Sequence, residues 1–510
     1  TLLDLGPAGN IVVNNPNLTV VLSRVQIIGG EIEVTAGHRL EIRRCRFPPL
    51  DGANGVSWNN SNPAGTLLVE ESRVVGRRKG VASQSQVPFG AIEISRTVFE
   101  DCEFSAVNLP GAGNVILERN WVIGGELGEA IYIDAKDVVG DYEVRLERNW
   151  VDGARKGILL QRLAGLEHHV IDNSLRATEQ TPLTLLNVEH ATLMGTRVWN
   201  PTSALSGAYL DGIQISDCQY VVLEGGIISG AGENGIEVKT SSEITILDSR
   251  ITRCNFEGIW SLDTTGLSIL GGVVSDTRRG IDVKGGDVEI EGFVSVRNAT
   301  YGIRIREAYA LEIRDSELVG NGSIGLAVSE LVGDPDTASI ISGNLIQENK
   351  GIGILVRSGG PGTIDLDENQ ILGTGPGRLE DVNGGVSGVG DGLVVVTGSD
   401  GNSSRVSLGK NSILGNSRLG VVAYGAETVF VSTGQEIDLS TNGWQGPLCL
   451  GGGGDPHLCP WDFYGGPVEQ PDALLVQAGA FVEGGALAVE PISDIPGLKA
   501  LTDLDGTIPK

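Results

Sequence analysis

The side chains with the most chemistry in this chain sit on four short glycine-bracketed strands. Between Asn234 and Arg306 the sequence reads NGIEV, FEGIWS, RRGIDV and YGIRI. In an alternating strand, the residue between the two apolar positions and the residue after them share the face opposite to Ile and Val. That places Glu237 and Lys239, then Trp260, then Asp282 and Lys284, then Arg304 and Arg306 on one outward strip. Tyr132, Asp134 and Gln214 take the same place on strands upstream. A carboxylate beside Lys or Arg can move a proton at a sugar carbon, and a Trp or Tyr face can stack on a pyranose ring. The other reading is a ladder of ion pairs. Asp282 and Arg304 fall one repeat apart, where exposed opposite charges contribute about a few tenths of a kcal/mol.

A second feature is ERNW, which occurs at 118–121 and again at 147–150. It sets Trp121 over Trp150 on the outer surface of adjacent repeats, either as a satellite core under a covering loop or as a sugar platform. No cofactor is signalled. Asp365, Asp367 and Glu368 could cluster as Ca2+ donors, a weak signal in a chain where acidic residues are common. The five histidines, at 38, 168, 169, 190 and 457, all fall off the glycine-bracketed strands.

The elements that must position these residues repeat with a fixed period. Gly235, Gly258, Gly280 and Gly302 lie 23, 22 and 22 residues apart, a spacing that means stacked repeats. The same strand recurs from EIEV at Glu31 to LGVVAY at Gly420, about sixteen units in all. Each unit carries a second short strand about nine residues on, such as LEIR at 311–314. Parallel strands joined without helices predict an all-β, right-handed parallel coil, the hand being the strong default for such connections. The step from Gly353 to Gly392 is longer and carries GTGPGRLEDVNGGVSG, which predicts a protruding loop.

Two polar columns accompany the strands. Cys45, Ser72, Asn120, Asn149, Asn173, Ser249, Ser316, Asn344, Asn369 and Asn411 follow the second strand; Cys102, Cys254, Asp276, Asn298, Asn321, Asn349 and Asn416 precede the glycine. Asn at a coil corner tolerates a left-handed bend and can bond the copy in the neighbouring coil, so these residues are read as structural. The expected organisation is a leading segment 1–17, the array at 18–442, and a Gly/Pro-rich C-terminal cap and tail at 443–510. Cys45, Cys102, Cys218 and Cys254 are expected as buried free thiols, whereas Cys449 and Cys459 bracket a Gly-rich loop that a disulfide would restrain.

The formal net charge is −28, with a sequence pI near 4.5. Such a surface repels a phosphate backbone, so nucleic acid is excluded as a partner. No apolar run approaches the ~20 residues that span a bilayer. A chain that begins at Thr1 without an initiator Met is what a processed, exported product or an artificially trimmed chain looks like, and a Cys449–Cys459 bridge would need an oxidising compartment.

The repeated GIxV units with Asn corners resemble the right-handed parallel β-helix superfamily, of the pectate-lyase-like kind and its generic β-helix-repeat relatives, over roughly residues 18–442. That resemblance implies the fold, and by analogy it implies sites on an outward strand face. Its members range from polysaccharide lyases, hydrolases and uronan epimerases to adhesins, so fold alone does not choose. Leu210-Asp211-Gly212 and Glu237-Val238-Lys239-Thr240 echo hydrolase motifs without the Asp pair or Gly-His-Gly between them. Asp455-Pro456-His457 matches the epimerase tripeptide, but lies beyond the array. Two functions follow as expectations: a secreted or cell-surface scaffold that binds polysaccharide or joins a surface assembly without turnover, or a lyase or epimerase working through Glu237, Lys239, Asp282, Lys284, Arg304 and Arg306. In either case Trp260, Tyr132, Trp121 and Trp150 are the carbohydrate-binding candidates.

Overall fold

The computed structural model describes residues 2–432 apart from short stretches, of which the longest are 84–89, 200–209, 358–362, 380–385 and 397–403. Beyond 432 it describes the strands Leu474–Gln477, Phe481–Glu483 and Val489–Pro491. Cys449, Cys459 and Asp455-Pro456-His457 lie outside the described residues. The chain divides into two compact units, Thr1–Ile251 and Thr252–Lys510.

Both units are parallel solenoids, with ten and seven stacked first strands in the columns that follow, close to the sixteen units counted in the sequence. In the first unit one inward column runs Ile11, Ile32, Val56, Val81, Val107, Ile131, Ile158, Leu183, Ile213 and Ile236 in unbroken register. In the second it runs Ile259, Ile281, Ile303, Leu326, Ile354, Leu393 and Val421. Apart from half-buried Ile11, these side chains are almost wholly buried, so the alternation read from the sequence gives the core directly. Among the described strands every pairing is parallel except the hairpin Gly377–Leu379 with Val386–Val389, which occupies the long step before Gly392.

Most turns hold three strands rather than two, for example Tyr301–Arg306, Ala310–Arg314 and Glu317–Val319, whereas Ile11–Ser23 and Ile32–Arg43 each run through the first corner as one strand. The third has three residues with one buried position, too short to show a period in the sequence.

The corners work differently from expectation. Asn120, Asn149 and Asn173 do bond in a column: Asn149 Oδ1 accepts from the backbone N of Asn120 at 3.1 Å and from its Nδ2 at 3.0 Å, and Asn173 Oδ1 does the same for Asn149 at 3.0 Å each. Asn344, Asn369 and Asn411 repeat the pattern in the second unit, as do Asn298, Asn321 and Asn349 at the other corner. The left-handed residue, however, is the one before the first-column Asn: Arg119, Arg148, Asp172 and Glu368 have φ of 52–54°. The amide is needed inside the ladder, so the bend falls to its charged predecessor.

The recurring glycines are fixed by close approach and not by φ. A Cβ on Gly302 would stand 2.5 Å from the carbonyl oxygen of Gly325, and one on Gly353 2.6 Å from that of Gly392. Cys45, Cys102, Cys218 and Cys254 are buried free thiols, and burial pushes Cys102 up to about 12.

Candidate functional site

In the second unit the strip Trp260, Asp282, Arg304 and the strip Leu262, Lys284, Arg306 are in register on the outward face, as the pattern required. The strip is not an open charged surface. Asp282 is 1% exposed, Arg304 is buried, and Trp260 is half-buried. Three guanidinium groups converge on one carboxylate. Asp282 Oδ2 meets Arg304 Nη2 at 2.9 Å and Arg279 Nη1 at 3.2 Å, and its Oδ1 meets Arg306 Nη2 at 3.0 Å and Arg304 Nε at 3.2 Å. Burial alone would raise the carboxyl pKa of Asp282, but Arg304, Arg306 and Arg279 together hold it below the usual carboxylate value.

Arg279 also pairs with Glu257, and the guanidinium groups of Arg279 and Arg304 lie 6.0 and 5.4 Å from the Tyr301 ring. Glu257 is pushed up by burial, with Arg279 opposing and Asp282 adding to the rise. Glu257, Arg279 and Tyr301 stand one residue before the recurring glycine. Strand alternation past a glycine gave no reason to group them with the outward strip. Lys284 is drawn aside to Glu307 at 3.1 Å.

In the first unit Glu237 is 4% exposed. Its Oε2 accepts from Gln214 Nε2 at 2.7 Å, and its Oε1 pairs with Lys239 Nζ at 2.7 Å. Close by is a residue the sequence marked only as a motif echo. Asp211 is 5% exposed, and its Oδ1 accepts from Asn234 N at 3.2 Å and Nδ2 at 2.9 Å. Burial, followed by the charges of Glu237 and Glu233, pushes Asp211 up to about 7. A carboxyl protonated near neutrality beside a second carboxylate is a group able to give up a proton. Nothing in the one-dimensional pattern separates it from the chain's other acids.

Tyr132 is committed locally. Its hydroxyl donates to Asp134 Oδ2 at 2.9 Å, and Arg162 Nε donates to Asp134 Oδ1 at 2.8 Å. Burial and the bond to Asp134 push Tyr132 up to about 12. The Trp pair is in register as expected, Trp121 on Trp150, over the buried partners Val122 and Val151. Trp121 is 54% exposed rather than enclosed, and Trp150 is half-buried.

Among the described residues no group of three or more His, Cys, Asp or Glu side chains is placed to hold a metal ion. Asp367 Oδ1 is occupied by the backbone N of Lys410 at 2.7 Å and of Glu368 at 3.1 Å, so the acidic run at 365–368 is part of a corner. Among the described residues no helix is long and apolar enough to cross a membrane.

Residues 202–331 and 273–403 match the family described as the right handed beta helix region. The fold is a right-handed parallel β-helix. Solved structures with a similar β-helix include the A-module of Azotobacter vinelandii mannuronan C-5 epimerase AlgE6, at 13% identity over 71% of this chain and 89% of that one, with a TM-score of 0.32. The periplasmic alginate epimerase AlgG follows at 12%, 71% and 83% with a TM-score of 0.31. PfbA, a surface adhesin of Streptococcus pneumoniae, follows at 8%, 73% and 89% with a TM-score of 0.29. No curated protein sequence matches the chain.

Proposed function

We propose that this chain is an exported or cell-surface β-helix that binds polysaccharide on a rigid face and does not turn it over. The observation that carries the reading is the Trp121–Trp150 pair. It consists of two indoles one turn apart, about 4.8 Å in strand spacing, with Trp121 half exposed and with Val122 and Val151 fixing the strand beneath. A pair held at that spacing by the backbone loses little freedom when a sugar ring stacks on it. The arginine cluster supports the same side of the choice. An Asp282 carboxylate held by Arg279, Arg304 and Arg306 is poorly placed to take a proton from substrate.

The test is a glycan array followed by calorimetry with the best ligand. Trp121→Ala should weaken binding roughly fivefold, since an aromatic stack contributes about 1 kcal/mol. Binding unchanged by Trp121→Ala and Trp150→Ala together, or cleavage or C-5 inversion of any uronan or neutral glycan in the panel, would sink the proposal.

A second reading is favoured by one specific observation, the raised Asp211 beside Glu237. On that reading the chain is a carbohydrate-active enzyme, lyase or epimerase before hydrolase, with Asp211 as proton donor and Glu237 and Lys239 as its charged surroundings. An unsaturated-uronate absorbance assay for elimination and proton NMR of the recovered uronan for C-5 inversion, each with Asp211→Asn as the inactive control, separate the two.

A further inference from the structure

The first unit carries a concave site that neither reading uses. A cavity of about 350 Å³ opens between the turn at Leu166–Glu167 and the strands Glu189–Met194 and Gln219–Glu224, with His190, Thr192, Tyr220 and Val222 on its wall. That volume lies at the lower end of small-ligand sites, roughly 300–1,000 Å³. His190 and Tyr220 stack in parallel, ring centroids 4.9 Å apart and planes 4° apart, and Tyr220 and Leu166 are each 48% exposed. On the same wall Thr192 Oγ1 lies 2.5 Å from Glu167 Oε1.

The backbone under the two rings is left-handed, with φ of 51° at His190 and 53° at Tyr220. Both are the second residue of a six-residue strand, and the inter-strand register skips both. In the strand Thr265–Leu270 the second residue is Gly266, with φ of 66°. A left-handed position suits glycine, and bulky side chains there are strained. Glu243 holds the same place with φ of 52° in the strand Ser242–Leu247, so the bend belongs to the turns themselves; what is particular here is that two aromatic rings occupy it in successive turns and stack beside an open cavity.

We propose that this cavity is a glycan subsite for a neutral pyranose unit, separate from the Trp121–Trp150 platform. The aromatic stack offers an apolar edge and face to the C–H side of a sugar ring, with Leu166 and Val222 flanking it. Glu167 and Thr192 supply acceptors for sugar hydroxyls. The wall holds a carboxylate and no Lys or Arg, so a uronate would meet like charge without a compensating cation. The proposal stands apart from the platform reading, and each is tested by its own variant.

The experiment titrates neutral tetrasaccharides (gluco-, manno- and galacto-configured), an oligomannuronate and tetramethylammonium into the full chain, following heat and the His190 ring protons by NMR. The expected result is that a neutral tetrasaccharide binds and shifts the His190 resonances. Tyr220→Gly and Glu167→Gln should each lower its affinity at least tenfold, Tyr220→Phe should retain it, and Trp121→Ala should change it less than twofold at this subsite. Tyr220→Gly fits the left-handed backbone, so its melting temperature should not fall, which separates loss of ligand from loss of fold. The proposal is overturned if no neutral sugar shifts His190, if oligomannuronate or tetramethylammonium is preferred, if Tyr220→Gly binds like the wild type, or if that variant unfolds at a lower temperature.

Discussion

The buried carboxyl of Asp211 makes the folded protein's stability depend on pH in a window where most carboxylates are silent. An ordinary aspartate titrates near 3.8, and in the fold Asp211 is pushed up to about 7. A folded-state pKa above the unfolded value means that the folded chain binds the proton more tightly. The stabilisation is complete below about pH 3.8 and is lost as pH rises through about 7. At about 1.4 kcal/mol per pKa unit the whole effect is on the order of 4 kcal/mol. That figure is shared with the Glu237 charge, which helps to raise Asp211. Asp211→Asn keeps the shape and removes the proton. Relative to the wild type the variant should gain stability steadily from pH 4 to pH 7 and then hold a constant margin.

The assay is urea unfolding of both proteins at half-unit steps from pH 4 to pH 8, with the carboxyl band followed by difference infrared spectroscopy. Parallel stability curves for the two proteins, with Asp211 already ionised at pH 5.5, would refute the reasoning, and with it the proton donor that the second reading names.

Three further outcomes follow from the same structure. Asp282→Asn leaves Arg279, Arg304 and Arg306 facing one another in a buried site and should cost roughly 3–5 kcal/mol. Because the wild-type pKa is lowered, the stability that Asp282 provides is present above about pH 3.8 and lost as pH falls, so the variant's denaturation midpoint should change less below pH 4. Asn321→Ala removes the acceptor of Asn298 N and Nδ2, both at 3.1 Å. It should lower stability by roughly 2–6 kcal/mol at about 1–3 kcal/mol for each of the two orphaned buried groups, measured as a shift in urea midpoint. Gly302→Ala drives a methyl to within 2.5 Å of the Gly325 carbonyl and 2.8 Å of Asn321 Nδ2. A loss of about 1–3 kcal/mol or more is expected, and an unchanged melting temperature would mean that the turns can spread apart.

Most of the fold was legible because strand alternation and repeat period are both one-dimensional signals. Ile281, Ile303 and Leu326 lie inward as the alternation requires, and Asn149 bonds Asn120 as its column position implied. The site was legible only in its register. Asp282 beside Arg304 could be read from the spacing, but its burial could not, because it depends on where Arg279, Arg304 and Arg306 send their long side chains, which no spacing states. Arg279 and Glu257 escaped notice since they precede the glycine, where alternation is broken. The His190–Tyr220 pair was invisible for a related reason. A left-handed residue at the second place of a strand turns two side chains into the same stack, and no period in the sequence marks that bend.

The position of the extra hairpin has a consequence for how this chain can change. Gly377–Leu379 and Val386–Val389 lie between the third strand of one turn, Gln370–Leu372, and the first strand of the next, Asp391–Val396. The register from Ile354 to Leu393 passes it undisturbed, as does the Asn369–Asn411 bond. The long step from Trp199 to Ile213 falls at the same corner, and the Leu183–Ile213 register is kept. That corner is therefore a splice point. New sequence entering there leaves the register of the turns on either side in place; the corner between first and second strands varies too, from three residues after Arg306 to nine after Ser329, with the parallel register kept. A library of inserts at residues 373–390, grafted beside the outward strand face, would diversify the surface while leaving the scaffold's folding instructions untouched.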